Sequence, residues 1–194
     1  MNKGIAKASG DYLLFLNSGD FLYSPQSIHG LVSNITNEDL IYGNLLVQET
    51  SKNWLKEYPS TLTFSYFLRD TLPHPATLIK RSLLSNAGFN ENFKIVSDWE
   101  FFITSICKNG ASYKHVDQTI SVFNYDGISS NPANASLIRE EKNKTLEMHF
   151  KTFLKDYESY FELQQAYEML VNSKPHRAIL KVKRMPFIGS FFKS

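Results

Sequence analysis

Apolar residues run unbroken through positions 12–16 (Tyr-Leu-Leu-Phe-Leu), and the run stops in Asn17-Ser18-Gly19-Asp20. A continuous apolar run of that length reads as a strand buried on both faces, the pattern of a parallel α/β sheet. Gly19 lets the backbone turn sharply. Asp20 would then stand just past the carboxyl end of a central strand, the edge at which open α/β sheets bind ligands. Upstream, Ile5 and Ala8 lie at helical spacing, and Gly10 reads as a helix stop. Downstream, Ile28, Leu31, Val32 and Ile35 share one face of a short helix over 27–35. A second strand over 39–47 is bent at Gly43.

Polar residues 48–57 read as a loop or edge hairpin, and 61–68 as a helix. Pro73-His74-Pro75 breaks the chain before a third strand at 76–79, and a helix over 80–86 ends at Gly88. Ser97 followed by Glu100 reads as a capping box that opens a helix with Phe102, Ile103, Ile106 and Cys107 on its buried stripe. Two short strands, 113–116 and 119–125, run into a turn at 126–130. From about residue 133 the pattern changes to long helical segments. Leu146, Phe150, Phe153, Leu154, Tyr157 and Phe161 recur at steps of three and four. The pattern thus predicts one α/β domain over 1–132 and a helical extension over 133–194.

Composition narrows the function classes. The 194 residues are 42% hydrophobic and 21% charged, without low-complexity runs, as in a globular domain with a real core. A net charge of +2 is too small to imply a nucleic-acid partner. The single cysteine, Cys107, excludes an internal disulfide, reads as a small core residue and fits a reducing, cytoplasmic setting. No apolar run reaches membrane-spanning length. The tail at 185–193 mixes aromatic and basic residues, a pattern of a frayed or packed chain end or of peripheral contact with an anionic membrane face. His29, His115, His149 and His176 lack metal-ligand spacing, and no nucleophile elbow, P-loop or dinucleotide fingerprint is present.

Two carboxylates remain as candidate chemistry. Asp20 follows the first strand and can hold a divalent ion on a diphosphate. Asp98, in the first turn of a helix, is favoured in its ionised form by the helix dipole. It can take a proton from a hydroxyl, or it can simply compensate the dipole. His74, at a strand entrance, reads as a hydrogen-bonded structural residue or as part of the site.

Several ordered pieces resemble the family 2 glycosyltransferases of the GT-A fold: residues 1–10, the strand and turn ending in Asp20, Ile41-Tyr42-Gly43-Asn44, the histidine-led segment 74–81, the segment 88–101 containing Asp98, and Asp126-Gly127-Ile128-Ser129. Together they cover residues 1 to about 130. The resemblance implies a partial GT-A sheet (Rossmann-like, of the nucleotide-diphospho-sugar transferase type) that lacks its first strands, plus a C-terminal helical appendage. It implies an inverting transfer of sugar from a nucleotide-diphospho-sugar to a glycan or lipid-linked hydroxyl acceptor, as in capsule, O-antigen or lipopolysaccharide synthesis. Asp98 inherits the role of general base and Asp20 that of ligand to Mg²⁺ or Mn²⁺. Lys3, Asn17 and Asp20 fall on the donor-binding side, and His74 lies near the donor diphosphate or the acceptor.

The sequence departs from the family in two ways. Asn17 and Gly19 stand where the family commonly has further carboxylates, and the family's βαβ nucleotide-binding half would precede residue 1. Met1 then reads as an internal methionine. A non-catalytic carbohydrate-binding module and an inactive fragment are the rival readings. The transferase reading requires Asp20 and Asp98 to face one cleft.

Overall fold

A computed structural model describes residues 1–125 and 127–173, apart from the side chains of Asn86 and Ala87. Asp126, the expected final helix with Arg177, Lys181, Lys183 and Arg184, and the aromatic-basic tail lie outside the described residues. The chain divides into two units, Met1–His149 and Phe150–Ser194. The first is a mixed α/β structure built on one open sheet.

That sheet is organised around β3 (Leu40–Gln48), of which only Leu46 and Gln48 escape full burial. Strand β6 (Tyr113–Asn124) runs parallel along one edge of β3. The other edge is shared by β5 (Thr77–Lys80), antiparallel to Leu40–Tyr42, and by β4 (Asn53–Lys56), antiparallel to Leu45–Gln48. β1 (Tyr12–Leu13) closes the sheet on β5, and β2 (Phe21–Leu22) closes it on β6, both antiparallel. The order is β1-β5-β3-β6-β2 with β4 on β3. β3–β6 is thus the one parallel pairing among the described strands, where the apolar patterning predicts a parallel sheet.

The largest departure concerns residues 12–16. They are neither central nor buried on both faces: β1 is two residues long, lies at the end of the sheet and is half-buried, and Leu16 is 42% exposed. The apolar run is held by its side chains instead. Tyr12 donates its hydroxyl to the Glu38 carbonyl at 2.6 Å, and Phe15 meets Phe89 edge-to-face at 5.4 Å. The strand buried on both faces is β3, whose pattern Ile-Tyr-Gly-Asn hides it behind one polar side chain. Asn44 is buried because its amide is satisfied: its oxygen accepts from Tyr58 N–H (3.0 Å) and His115 Nε2 (3.1 Å), and its nitrogen donates to Asp117 (3.1 Å).

Residues 113–124 form one strand rather than two. The pairing with β3 slips on either side of Asn44, where β6 carries extra residues. Gly43 sits against that bulge. A Cβ there would lie 2.6 Å from both the Gln118 carbonyl oxygen and Ile120 Cγ1. Gly43→Ala is therefore expected to lower stability by about 2–3 kcal/mol through overpacking against backbone. The midpoint of urea unfolding reads this, and an unchanged midpoint would show that the strands part freely.

The helices cover the sheet much as their apolar spacing predicts: α2 (Ser27–Val32), α3 (Phe64–Arg69, capped by the Thr63 hydroxyl), α4 (Arg81–Ala87) and α5 (Ser97–Ile103). A short α1 (Asn2–Ile5) precedes them. α5 continues through a wider π-type turn, Thr104–Lys108, which contains Cys107. Burial pushes the Cys107 thiol up to about 11, so it stays protonated at neutral pH. Leu31, Leu40, Ile41, Phe67, Ile79, Phe102, Ile103 and Ile120 form the solvent-free core.

The last helix, α6 (Ala135–Asn172), is continuous. Its turns up to His149 belong to the first unit, past the change of composition near residue 133. In the second unit, Phe153, Tyr160, Phe161 and Leu163 are exposed, and Tyr157 stacks on Phe161 at 6.2 Å. Among the described residues, no helix is long and apolar enough to cross a membrane.

Candidate active site

β1 and β3 both run antiparallel to β5, and β3 runs parallel to β6, so β1, β3 and β6 point the same way. Their carboxyl ends share one edge of the sheet. The amino end of β5, with His74 just before it, lies at the same edge.

The turn after β1 reaches that edge as Asn17-Ser18-Gly19-Asp20, closed by a 3.0 Å bond from Asp20 N–H to the Asn17 carbonyl. Gly19 takes φ +96°, the left-handed conformation that the third position of a type II turn demands. The turn aims two side chains. Asn17 Nδ2 lies 2.8 Å from His74 Nε2. Asp20 Oδ1 accepts the Asn124 N–H at the end of β6 (3.1 Å), while Oδ2 is buried without a hydrogen-bond partner.

His74 stands between two prolines in a 3₁₀ turn, His74–Ala76. The Thr77 hydroxyl donates to the Pro73 carbonyl at 2.7 Å, and the Ser121 hydroxyl donates to that of Pro75. The backbone on either side of His74 is thus tied to β5 and β6. Its Nδ1 lies 3.0 Å from Asp98 Oδ2, with the two side chains 13% and 21% exposed. Since the Asn17 amide N–H donates to Nε2, the ring proton sits on Nδ1 and is donated to Asp98. Asp98 Oδ1 accepts from the Trp99 N–H at 2.8 Å.

The helix bearing Asp98 starts differently from the sequence pattern. Val96 is the N-cap, and the Ser97–Glu100 capping box does not form. A carboxylate from far along the chain takes over: buried Glu141 of α6 accepts the N–H groups of Lys94 (2.7 Å), Ile95 (3.1 Å) and Val96 (3.1 Å). Three successive N–H groups converging on one anion are more than a local serine can supply. Released from capping, Glu100 accepts from Asn90 Nδ2 at 3.1 Å. Burial raises its pKa, opposed by that bond.

A cavity of ≈ 240 Å³ opens beside the His74–Asp98 pair. Its walls are mostly apolar, from Leu45, Tyr58, Leu72, Ile95, Trp99 and Phe123. Asp98 and Lys142 supply its charged points, and His74, Thr71 and Ser129 add polar ones. Trp99 is fixed by donating its indole N–H to the Phe67 carbonyl at 2.7 Å. Asp20 is not among the lining residues. It adjoins them through Asn124, next to Phe123, and through the turn that carries Asn17.

The structure therefore joins Asn17, His74 and Asp98 by direct hydrogen bonds; it brings Asp20 to the same sheet edge but outside the cavity that Asp98 lines, short of the single cleft that the sequence reading requires. Lys3 is exposed on α1, and among the described residues no hydrogen bond or ion pair ties it to the group. Its neighbour Asn2 instead grips both backbone groups of Phe89 (2.7 and 2.9 Å). Glu141 and Lys142 are invisible to sequence reasoning. They sit in Arg-Glu-Glu-Lys-Asn-Lys, which reads as a solvated helix face, and only helical phase relative to Ile138 and Thr145 turns these two inward.

The residues present fit a divalent ion held mainly by substrate. No cluster of three or more His, Cys, Asp or Glu that would cage a metal occurs among the described residues. Asp20 Oδ2, however, is a buried anionic oxygen without a hydrogen-bond partner. One carboxylate completed by phosphate and water oxygens is a usual arrangement for Mg²⁺.

No family model matches the chain. Over 135 residues it is 27% identical to PGL/p-HBAD biosynthesis glycosyltransferases of Mycobacterium bovis (strain BCG / Pasteur 1173P2) and Mycobacterium tuberculosis (strain ATCC 25618 / H37Rv). These relatives are glycosyltransferases. The overlap covers 68% of this chain and 52% of each relative, so the chain spans about half their length. Among solved structures, S. aureus TarS 1-349 is 16% identical with a TM-score of 0.49, covering 63% of this chain and 38% of that one. TarS 1-349 in complex with UDP is 14% identical with a TM-score of 0.47 and covers the same shares.

Proposed function

We propose that this edge of the sheet is the acceptor side of a family 2, GT-A glycosyltransferase that moves a sugar from a nucleotide-diphospho-sugar to a hydroxyl with inversion. The observation that carries the reading is the unbroken chain Asp98–His74–Asn17, which ends on the turn that bears Asp20 and its unpartnered carboxylate oxygen. The similarity to glycosyltransferases supports the reaction class.

The acceptor enters the cavity with its hydroxyl against Asp98. Each Asp98 oxygen has one lone pair in use and another free, so His74 and Trp99 hold the carboxylate in place while it still accepts a proton. The acceptor oxygen bonds to the anomeric carbon, the bond from that carbon to the diphosphate oxygen breaks, and the hydroxyl proton passes to Asp98. The nucleoside diphosphate leaves with the bonding pair, and attack from the opposite face inverts the anomeric centre. Asp20 would hold Mg²⁺ or Mn²⁺, which when bound neutralises charge on the departing diphosphate. At ≈ 240 Å³ the cavity falls below the ~300–1,000 Å³ of pockets for drug-sized ligands, which suits a single sugar or headgroup better than a whole nucleotide-sugar. The product is proposed to be a surface glycan.

The test is a panel of nucleotide-diphospho-sugars offered with Mg²⁺ or Mn²⁺ and a hydroxyl acceptor. Nucleoside diphosphate release and the anomeric configuration of the product are read by NMR. Release from at least one donor with inversion is expected, and Asp20→Asn should raise the metal concentration needed. Folded protein that releases nothing from any donor, or a product with retained configuration, overturns the proposal.

A further inference from the structure

We infer that the cavity beside Asp98 selects an acceptor bearing an oxyanion, a carboxylate or a phosphate, through Lys142. The inference deepens the transferase reading and rests on it. Lys142 lies in the cavity wall with its Nζ 4.9 Å above the Trp99 ring, and neither a hydrogen bond nor an ion pair engages that ammonium among the described residues. The carboxylates that act on it each have other partners. Asp70 pairs with Lys56 at 2.8 Å, and Asp98 is held by His74 and the Trp99 N–H. Neighbouring Glu141 is turned to the 94–96 backbone.

An ammonium with three donors, half-buried against an aromatic face and engaged by no hydrogen bond among the described residues, suits an incoming acceptor atom. The surroundings agree: burial lowers the Lys142 pKa despite the opposing pull of Asp70 and Asp98, so the charge is under-compensated until an anion arrives. Asp98 shares the cavity and Asp20 does not line it, which assigns the anion to the acceptor and not to the donor diphosphate. The aromatic and aliphatic walls would pack against the apolar face of a sugar ring. Lys142 would hold its charged substituent, leaving a ring hydroxyl for Asp98.

The test is calorimetric titration of the chain with glucose, glucuronate and glucose 6-phosphate, for the wild type, Lys142→Gln, Lys142→Arg and Asp98→Asn. The wild type is expected to bind at least one acidic sugar about tenfold or more tightly than glucose, the size of effect a charge-assisted contact gives. Lys142→Gln should erase that preference, and Lys142→Arg should keep most of it. Whichever acidic sugar binds tighter distinguishes carboxylate from phosphate. Asp98→Asn should retain the preference while losing transfer. Equal binding of neutral and acidic sugars, or a preference that survives in Lys142→Gln, overturns the inference and leaves the transferase reading standing. Preference lost in Lys142→Gln together with no transfer from any donor overturns the transferase reading and supports the anion site.

Discussion

Asp98→Asn is expected to reduce sugar transfer by about 10²–10⁴-fold, the range that a positioned general base contributes. The loss should appear in kcat, with donor KM little changed, because the amide fills the same space but takes no proton. The substitution also has a second readout. Asparagine has one acceptor oxygen where aspartate has two, so it cannot satisfy both the Trp99 N–H and His74 Nδ1–H. If Trp99 keeps the oxygen, the His74 proton moves to Nε2 and the Asn17 amide turns over to receive it. Imidazole ¹⁵N shifts should show that change of tautomer. A fully active Asp98→Asn protein would remove Asp98 from the chemistry.

Glu141→Ala should be the most destabilising single change near the site. It strands three backbone N–H groups that converge on one buried carboxylate. Each charge-assisted bond is worth about 1.5–3 kcal/mol, and bonds to one group are not additive, so the net cost should be about 3–4 kcal/mol. For a chain of this size that corresponds to a fall of roughly 10 °C in Tm. Glu141→Gln, which keeps the shape and an acceptor, should lose clearly less. Thermal unfolding by circular dichroism checks both, and equal stability of Glu141→Ala and wild type would show that water satisfies the 94–96 backbone.

The site was legible wherever its residues depend on neighbours in sequence. Asn-Ser-Gly-Asp spells a turn, Pro-His-Pro spells a fixed entrance to a strand, and Asp98 opens a helix whose apolar stripe is plain. Those local signals set the three segments that carry Asn17, His74 and Asp98. They do not say that the side chains meet, because the meeting depends on β1 and β3 both pairing with β5.

Sequence reasoning failed where long-range partners decide. The run at 12–16 is as apolar as a central strand, yet with β5 as its one described neighbour it remains an edge. β2 is two residues held only by β6, too short to leave a period. The capping box at Ser97 lost to a carboxylate more than forty residues downstream. Lys142 lies in a charged stretch that looks solvated until the fold turns one face inward.

The two pyrrolidine rings beside His74 have a mechanical consequence. Each restrains the backbone torsion of its own residue, and the carbonyls of both are pinned by hydroxyls of β5 and β6. The imidazole is thereby a stiff strut rather than a compliant tether. Displacement of the glycine turn on one side is expected to be carried through the ring to the helix on the other. The Gly19 turn and the start of α5 are then expected to keep a constant spacing, set by one aromatic ring.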